Sequence, residues 1–284
     1  MSPGSVAIVI DSTAFMPREL LERYGIHVVP NVVNWGTQSY RDGVDIQPSE
    51  FFERLKTDPV MPTTAASGVG EIRDVYARAA ETAGAVVGVH ISTHLSATYS
   101  AAVQAKAMLP AVQIEIVDSQ STAMALGFVA LAAARAAADG ASVEQVAETA
   151  RNAIPHVGLL FTLETLEYLR RGGRIGGASA FIGKLLDFKP ILELKEGRIE
   201  PMERARSKKK AVARILEILS ERAAGKTPIR LATIHAAAND EARALLDTAA
   251  ERLGAVEAIL AEASPTVAVH AGPGTVGLAW CAGI

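Results

Sequence analysis

The chain has 284 residues, enough for one large domain or two of ordinary size, and either buries a core without disulfide or metal staples. Hydrophobic residues make up 49% and charged residues 21%, which excludes a disordered or low-complexity chain. A net charge of −3 and an aromatic content of 5% argue against a nucleic-acid binder held by charge or by base stacking.

The opening segment, MSPGSVAIVIDS, has no basic region before a long apolar run, so it reads as a first strand, 6–10, and not as a signal peptide. That strand ends in Asp11-Ser12-Thr13. Pro17 and Gly25 suit the start and end of a helix, and 27–33 reads as the next strand. Ile72, Val75, Tyr76 and Ala79 keep helical spacing and precede a buried strand at 85–91. A helix at 96–109, a strand at 112–117 and a long helix at 120–138 follow. The alanine-rich run 122–138 contains Arg135 and is too short for a convincing membrane span. Ser142 and Gln145 form a capping box for a helix ending near Ala153.

Strands alternating with helices imply crossovers and a largely parallel sheet covered on both faces. Ligands sit beyond the carboxyl ends of such strands, where Asp11-Ser12, Ser92-Thr93 and Asp118-Ser119 fall. These residues are also ordinary turn formers.

Pro155 marks an expected boundary between an amino-terminal α/β domain (1–154) and a carboxy-terminal one (155–284). The second begins with a strand at 157–163, helical residues to Arg170, the glycine-rich turn RRGGRIGG and a helix through Leu186. Lys195-Glu196-Gly197 reads as a hairpin turn between strands 189–194 and 198–204. A helix from Ser207, a strand at 229–235, a helix at 240–253 and strands at 256–261 and 266–270 complete the reading. Adjacent hairpin strands make this second sheet mixed.

Several motifs are weaker than they look. GPGTVG (272–277) matches a dinucleotide fingerprint, but only seven residues follow it, too few for the required βαβ unit. Neither a P-loop nor a nucleophile elbow is present. His90 and His94 straddle a strand end, which spoils zinc geometry. A single cysteine, Cys281, excludes an internal disulfide and fits a reducing, cytoplasmic setting. The basic cluster Arg204, Arg206, Lys208, Lys209 and Lys210 surrounds a helix start, where lysines oppose the helix dipole.

Taken together, DSTA (11–14), DGVD (42–45), PTT (62–64), ISTHLSATY (91–99), VDS (117–119), LEYLRRGGRI (166–175), KPIL (189–192), RSKKKA (206–211) and HAGPG (270–274) resemble the DegV family of bacterial fatty-acid-binding proteins. The resemblance runs through nearly the whole chain. It implies two α/β domains, a largely parallel one followed by a mixed-sheet one, with the ligand at their junction. It also implies a long-chain fatty acid, buried tail-first, whose carboxylate is presented to a separate ATP-dependent fatty-acid kinase. The chain would then carry the acyl-phosphate toward phospholipid metabolism, with no catalytic residue, metal or cofactor of its own and no stable membrane insertion. By motif, Thr64 and Ser96 would bind the carboxylate, and Arg174, Arg206 and His270 would lie at the exposed head group or the kinase contact.

Each of these residues has a plainer role open to it. Thr64 and Ser96 serve equally as caps of the helices that follow them. Arg174 suits the carbonyls of its own turn, and His270 suits a satisfied core position. Three departures from the family pattern touch the loops themselves. Phe15 stands where an acidic residue is usual, Ala65-Ala66-Ser67 where Ser-Gln-Pro is usual, and Ala97 in place of a glycine. The rival functional readings are an independent phosphotransferase or hydrolase acting on a small anion, and a lipid-sensing regulatory protein.

Overall fold

A computed structural model describes residues 5–181 and 188–284. In the first half β1 (Val6–Asp11), α1 (Arg18–Tyr24), β2 (His27–Val29), β3 (Val32–Trp35), β4 (Gln38–Arg41), α2 (Pro48–Thr57) and β5 (Thr63–Ala65) come first. Then follow α3 (Val69–Ala83), β6 (Ala85–His90), α4 (Thr98–Ala107), β7 (Gln113–Asp118), α5 (Ala123–Ala138) and α6 (Val143–Ala153). The second half runs through β8 (Val157–Thr162), α7 (Glu167–Arg171), β9 (Lys189–Lys195), β10 (Arg198–Ala205) and α8 (Lys208–Ala223). It closes with β11 (Ile229–His235), α9 (Asn239–Leu253), β12 (Glu257–Ile259), α10 (Pro265–Ala271) and β13 (Val276–Ala282).

The architecture is α/β. Strands β2-β1-β6-β7 form a parallel sheet. Every residue of β1 and β6 is buried, because helices cover both faces. Helices α3 and α4 lie on one face and α5 and α6 on the other. This is why those strands read as unbroken apolar runs instead of alternating ones. The second sheet has the order β10-β9-β8-β13-β11-β12 and is mixed: only β11 and β12 run parallel. The Glu196-Gly197 hairpin is present, both residues at positive φ. So is the Ser142–Gln145 capping box.

Helix α5 joins the two halves. It packs on β1 and β6 of the first sheet and on β8, β11 and β13 of the second. Eleven of its sixteen residues are buried. Its alanines let both sheets approach closely, which explains an apolar helix that crosses nothing. Among the described residues no helix is long and apolar enough to span a membrane.

Two expectations are corrected. The run 27–33 is not one strand. It divides at Pro30-Asn31, because Pro30 has no N–H for a sheet ladder, and β3 leaves the parallel sheet to join a small antiparallel one, β4-β3-β5. Residues 266–270 are not a strand but most of α10: Ser264 Oγ accepts the Val267 N–H and Pro265 occupies the first turn. The apolar alternation of this segment satisfies either period over so short a span. Past its glycines the terminal segment becomes β13, wholly buried between β8 and β11 in the second sheet. The helix expected through Leu186 begins as a single 3₁₀ segment at Gly176–Phe181, and 182–187 lie outside the described residues.

Candidate functional site

A narrow tunnel lies between the carboxyl ends of the parallel sheet, the inner face of the second sheet and α10. Its atom-free space, mouth included, is about 890 Å³. Its walls are mostly apolar, with Leu159 and Phe161 of β8, Leu194 of β9, Ile199 of β10, Ile234 of β11 and Leu169 of α7. Polar groups of Thr13, Asn31, Thr64, Ser96, Arg174 and His270 interrupt this lining. A long apolar sleeve with a few convergent polar groups suits an amphipathic ligand.

Four of the five residues singled out from the sequence therefore line one cavity, although up to 206 positions separate them in the chain. Thr64 lies on β5, the edge of the small sheet, and not at a helix start, so it caps nothing. Its Oγ1 is 2.8 Å from His270 Nε2. That contact ties the small sheet to α10 across the tunnel mouth. Burial, reinforced by the positive charge of Arg174, pushes His270 down to about 4, so the imidazole is neutral near pH 7. Its Nδ1 is buried without a partner and faces Gly172, where a Cβ would lie 2.0 Å away.

Arg174 Nε donates to Leu95 O at 3.0 Å and Nη1 donates to Gly172 O at 2.7 Å. These bonds hold its guanidinium between the Ser96 loop and the glycine-rich turn. The plainer role, satisfying carbonyls, is thus real, and it positions the charge at the mouth. Ser96 precedes α4. Its Oγ accepts the Thr98 N–H at 3.3 Å and lies 2.9 Å from Thr98 Oγ1, while the cap position proper is Ala97.

Beside the mouth is a second, smaller hollow. Thr64, Arg174 and His270 line it too, together with Met61, Pro62, Thr63, Arg171, Gly172 and Val269. One set of polar groups thus faces both the tunnel and the surface. Arg206 belongs to neither lining. It is exposed at the end of β10, before Ser207, whose Oγ accepts the Lys210 N–H to cap α8. Within the same basic cluster Lys208 pairs with Glu164 at 3.3 Å and with Glu241 at 2.6 Å.

The strand-end residues Asp11, Ser12, Ser92, Asp118 and Ser119 build the loops and do not line the tunnel. Asp11 is fully buried and accepts from Thr13 Oγ1 at 2.5 Å, Asn31 Nδ2 at 3.3 Å and the Ile91 N–H at 2.7 Å. Burial opposes its ionisation, but these bonds and the contact with His90 outweigh burial and keep its pKa below the usual value. His90 in turn meets Tyr76 at 2.6 Å in the core, whereas His94 is exposed. Four further polar residues line the tunnel without having been singled out as site residues, Thr13, Asn31, Thr122 and Thr266. Only Thr13, next to Asp11-Ser12, carried any signal.

Asp42, in the turn after β4, anchors α10 from the far side. Its Oδ2 accepts from Ser12 Oγ at 2.6 Å and its Oδ1 from the Thr266 N–H at 3.3 Å. Burial raises its pKa to about 6 despite these bonds. The native state therefore holds this proton more tightly than the unfolded chain does, and the Asp42 contribution to stability falls by about 3 kcal/mol as pH rises from about 4 to about 6, while the depressed His270 contributes an opposing rise over the same window. Urea unfolding of wild type and Asp42→Asn between pH 4 and 7.5 should show the stability of wild type relative to the variant falling by about 3 kcal/mol across that range. An unchanged slope in the variant would show that Asp42 does not carry the titration.

The model of the DegV family, whose members it describes as uncharacterised, matches residues 5–283. This chain belongs to the DegV family. A DegV domain-containing protein of Streptomyces coelicolor is 41% identical over 276 residues, covering 96% of this chain and 97% of its own. Among solved structures, a fatty-acid-binding DegV family protein from Thermus thermophilus superposes with a TM-score of 0.92 at 36% identity, covering 98% of this chain and 99% of its own. DegV of Bacillus subtilis, described as a fatty acid binding protein, gives 0.89 at 33% identity with the same coverage. The DegV fold thus accounts for the parallel sheet and the mixed sheet.

Proposed function

We propose that this DegV protein binds a long-chain fatty acid tail-first and presents its carboxylate at the mouth framed by Thr64, Ser96, Arg174 and His270. The observation that carries the reading is a largely apolar lining interrupted by a few polar groups, of which Thr64, Arg174 and the neutral His270 also line the adjoining hollow. The fatty-acid-binding relatives support it. The ligand lies at the junction of the units 1–154 and 155–284. A tail of about fifteen carbons contributes on the order of 10 kcal/mol at ~0.8 kcal/mol per buried CH₂, before the costs of association. Two hydroxyl donors add roughly 1.5–3 kcal/mol each, so the sleeve dominates affinity and the hydroxyls decide which end faces out.

A separate ATP-dependent kinase then phosphorylates the presented carboxylate. The surface hollow supplies room for the phosphoryl group, and exposed Arg206 contacts the kinase. The chain itself performs no phosphoryl transfer and carries the acyl-phosphate in the cytoplasm. Denaturing extraction and mass spectrometry of the purified protein test the binding step. A stoichiometric long-chain acid is expected, co-purified or taken up on incubation, and its absence in both cases refutes the reading. Arg206→Ala should leave fatty-acid binding intact while lowering kinase-dependent phosphorylation at least tenfold; loss of binding in a folded variant would reverse that assignment.

A further inference from the structure

Asn31 sits where the chain leaves β2 for β3, and its side chain is 1% exposed. Two partners of fixed polarity orient its amide. The Ser67 N–H can only donate, so the atom 3.3 Å from it is Oδ1. The Asp11 carboxylate accepts, so the group 3.3 Å from it is Nδ2. Oδ1 is therefore the atom 3.0 Å from Thr98 Oγ1. Thr98 is fully buried and does not line the tunnel, and its Oγ1 lies 2.9 Å from Ser96 Oγ, which does.

Two hydroxyl protons serve this row of three oxygens. Among the protein's own groups both bonds form in one way only: Thr98 donates to Asn31, and Ser96 donates to Thr98. An anion at Ser96 claims the Ser96 proton. The Ser96 oxygen then accepts from Thr98, whose proton swings away from Asn31, and Asn31 Oδ1 keeps the Ser67 N–H. No buried acceptor is left unpaired by the change. In this second arrangement both hydroxyl dipoles point at the anion, in a buried setting where such dipoles reinforce one another.

We propose that Ser96, Thr98 and Asn31 form a reversible hydroxyl relay that turns toward a carboxylate, with Thr98 a positioning residue that favours anionic over neutral head groups. The proposal rests on Ser96 being a head-group donor, as argued above. A neutral ester gains little from the reversal, because a bond to a charged acceptor is about twice as strong as a neutral one.

The test measures binding of palmitate and of methyl palmitate to the delipidated full chain by calorimetry. Wild type should favour the acid, and Ser96→Ala should reduce that preference, with Thr64 and Arg174 retaining the remainder. Thr98→Val should lower the acid-to-ester affinity ratio roughly threefold to tenfold with ester affinity unchanged, and Thr98→Ser should restore it. Should Thr98→Val not fold, Thr98→Ala compared with Thr98→Ser isolates the same hydroxyl. A Thr98 variant without the hydroxyl that keeps the ratio, or that loses both ligands equally, overturns the relay. A wild type that binds neither ligand, or a Ser96→Ala variant with the ratio intact, overturns the head-group assignment itself.

Discussion

Leu159→Trp should lower fatty-acid affinity by more than a hundredfold while leaving the protein folded. Leu159 is 1% exposed on β8 and forms part of the tunnel's apolar wall. Indole bulk there displaces several methylenes of the tail, and losing four of them forfeits about 3 kcal/mol, a factor above one hundred. Overpacking itself costs roughly 1–3 kcal/mol of stability, which an intact domain tolerates. Calorimetric titration with palmitate, beside a thermal melt, separates the two effects. Affinity within a few-fold of wild type would place the tail elsewhere.

The second large effect concerns the joint between the halves. Phe128→Ala should destabilise the fold by about 3–5 kcal/mol, because the ring is 1% exposed in the shared core and its removal leaves a cavity there. Helix α5 touches both sheets, so the variant should unfold in one transition and not sheet by sheet. Urea unfolding followed by fluorescence and by circular dichroism checks this. Non-coincident curves would mean that the halves are stable independently of α5.

Where burial on both faces dictated the pattern, the chain order of elements could be read directly. The run 6–10 is apolar throughout, and 85–91 is apolar but for His90, because helices cover both strands on both sides. Punctuated features were equally legible: the Ser142–Gln145 cap and the Glu196-Gly197 turn are local devices whose chemistry lies within a few residues. Short segments were not. Residues 266–270 fit a strand as well as a helix until Ser264 and Asp42 supply acceptors at the helix start. Residues 27–33 hid a switch between sheets, since nothing local says which partner a strand of three residues will find.

The same division runs through the site. Thr64, Ser96, Arg174 and His270 were identifiable one by one, because short motifs carry the hydroxyls, the glycine-rich turn and the histidine. What no motif contained was their convergence. The Thr64–His270 contact joins positions 206 apart, and it exists only because β5 pairs with β3 in the small sheet and α10 is a helix. Asn31 carried no sequence signal at all. Its role comes from Asp11, Ser67 and Thr98 meeting around one amide. Sequence alone determined the family, the alternation of strands and helices, and the residue types suited to an anionic head group. Tertiary structure decided which of those residues share a wall and which hydroxyl stands behind another, because hydrogen-bond direction depends on neighbours that the linear chain keeps far apart.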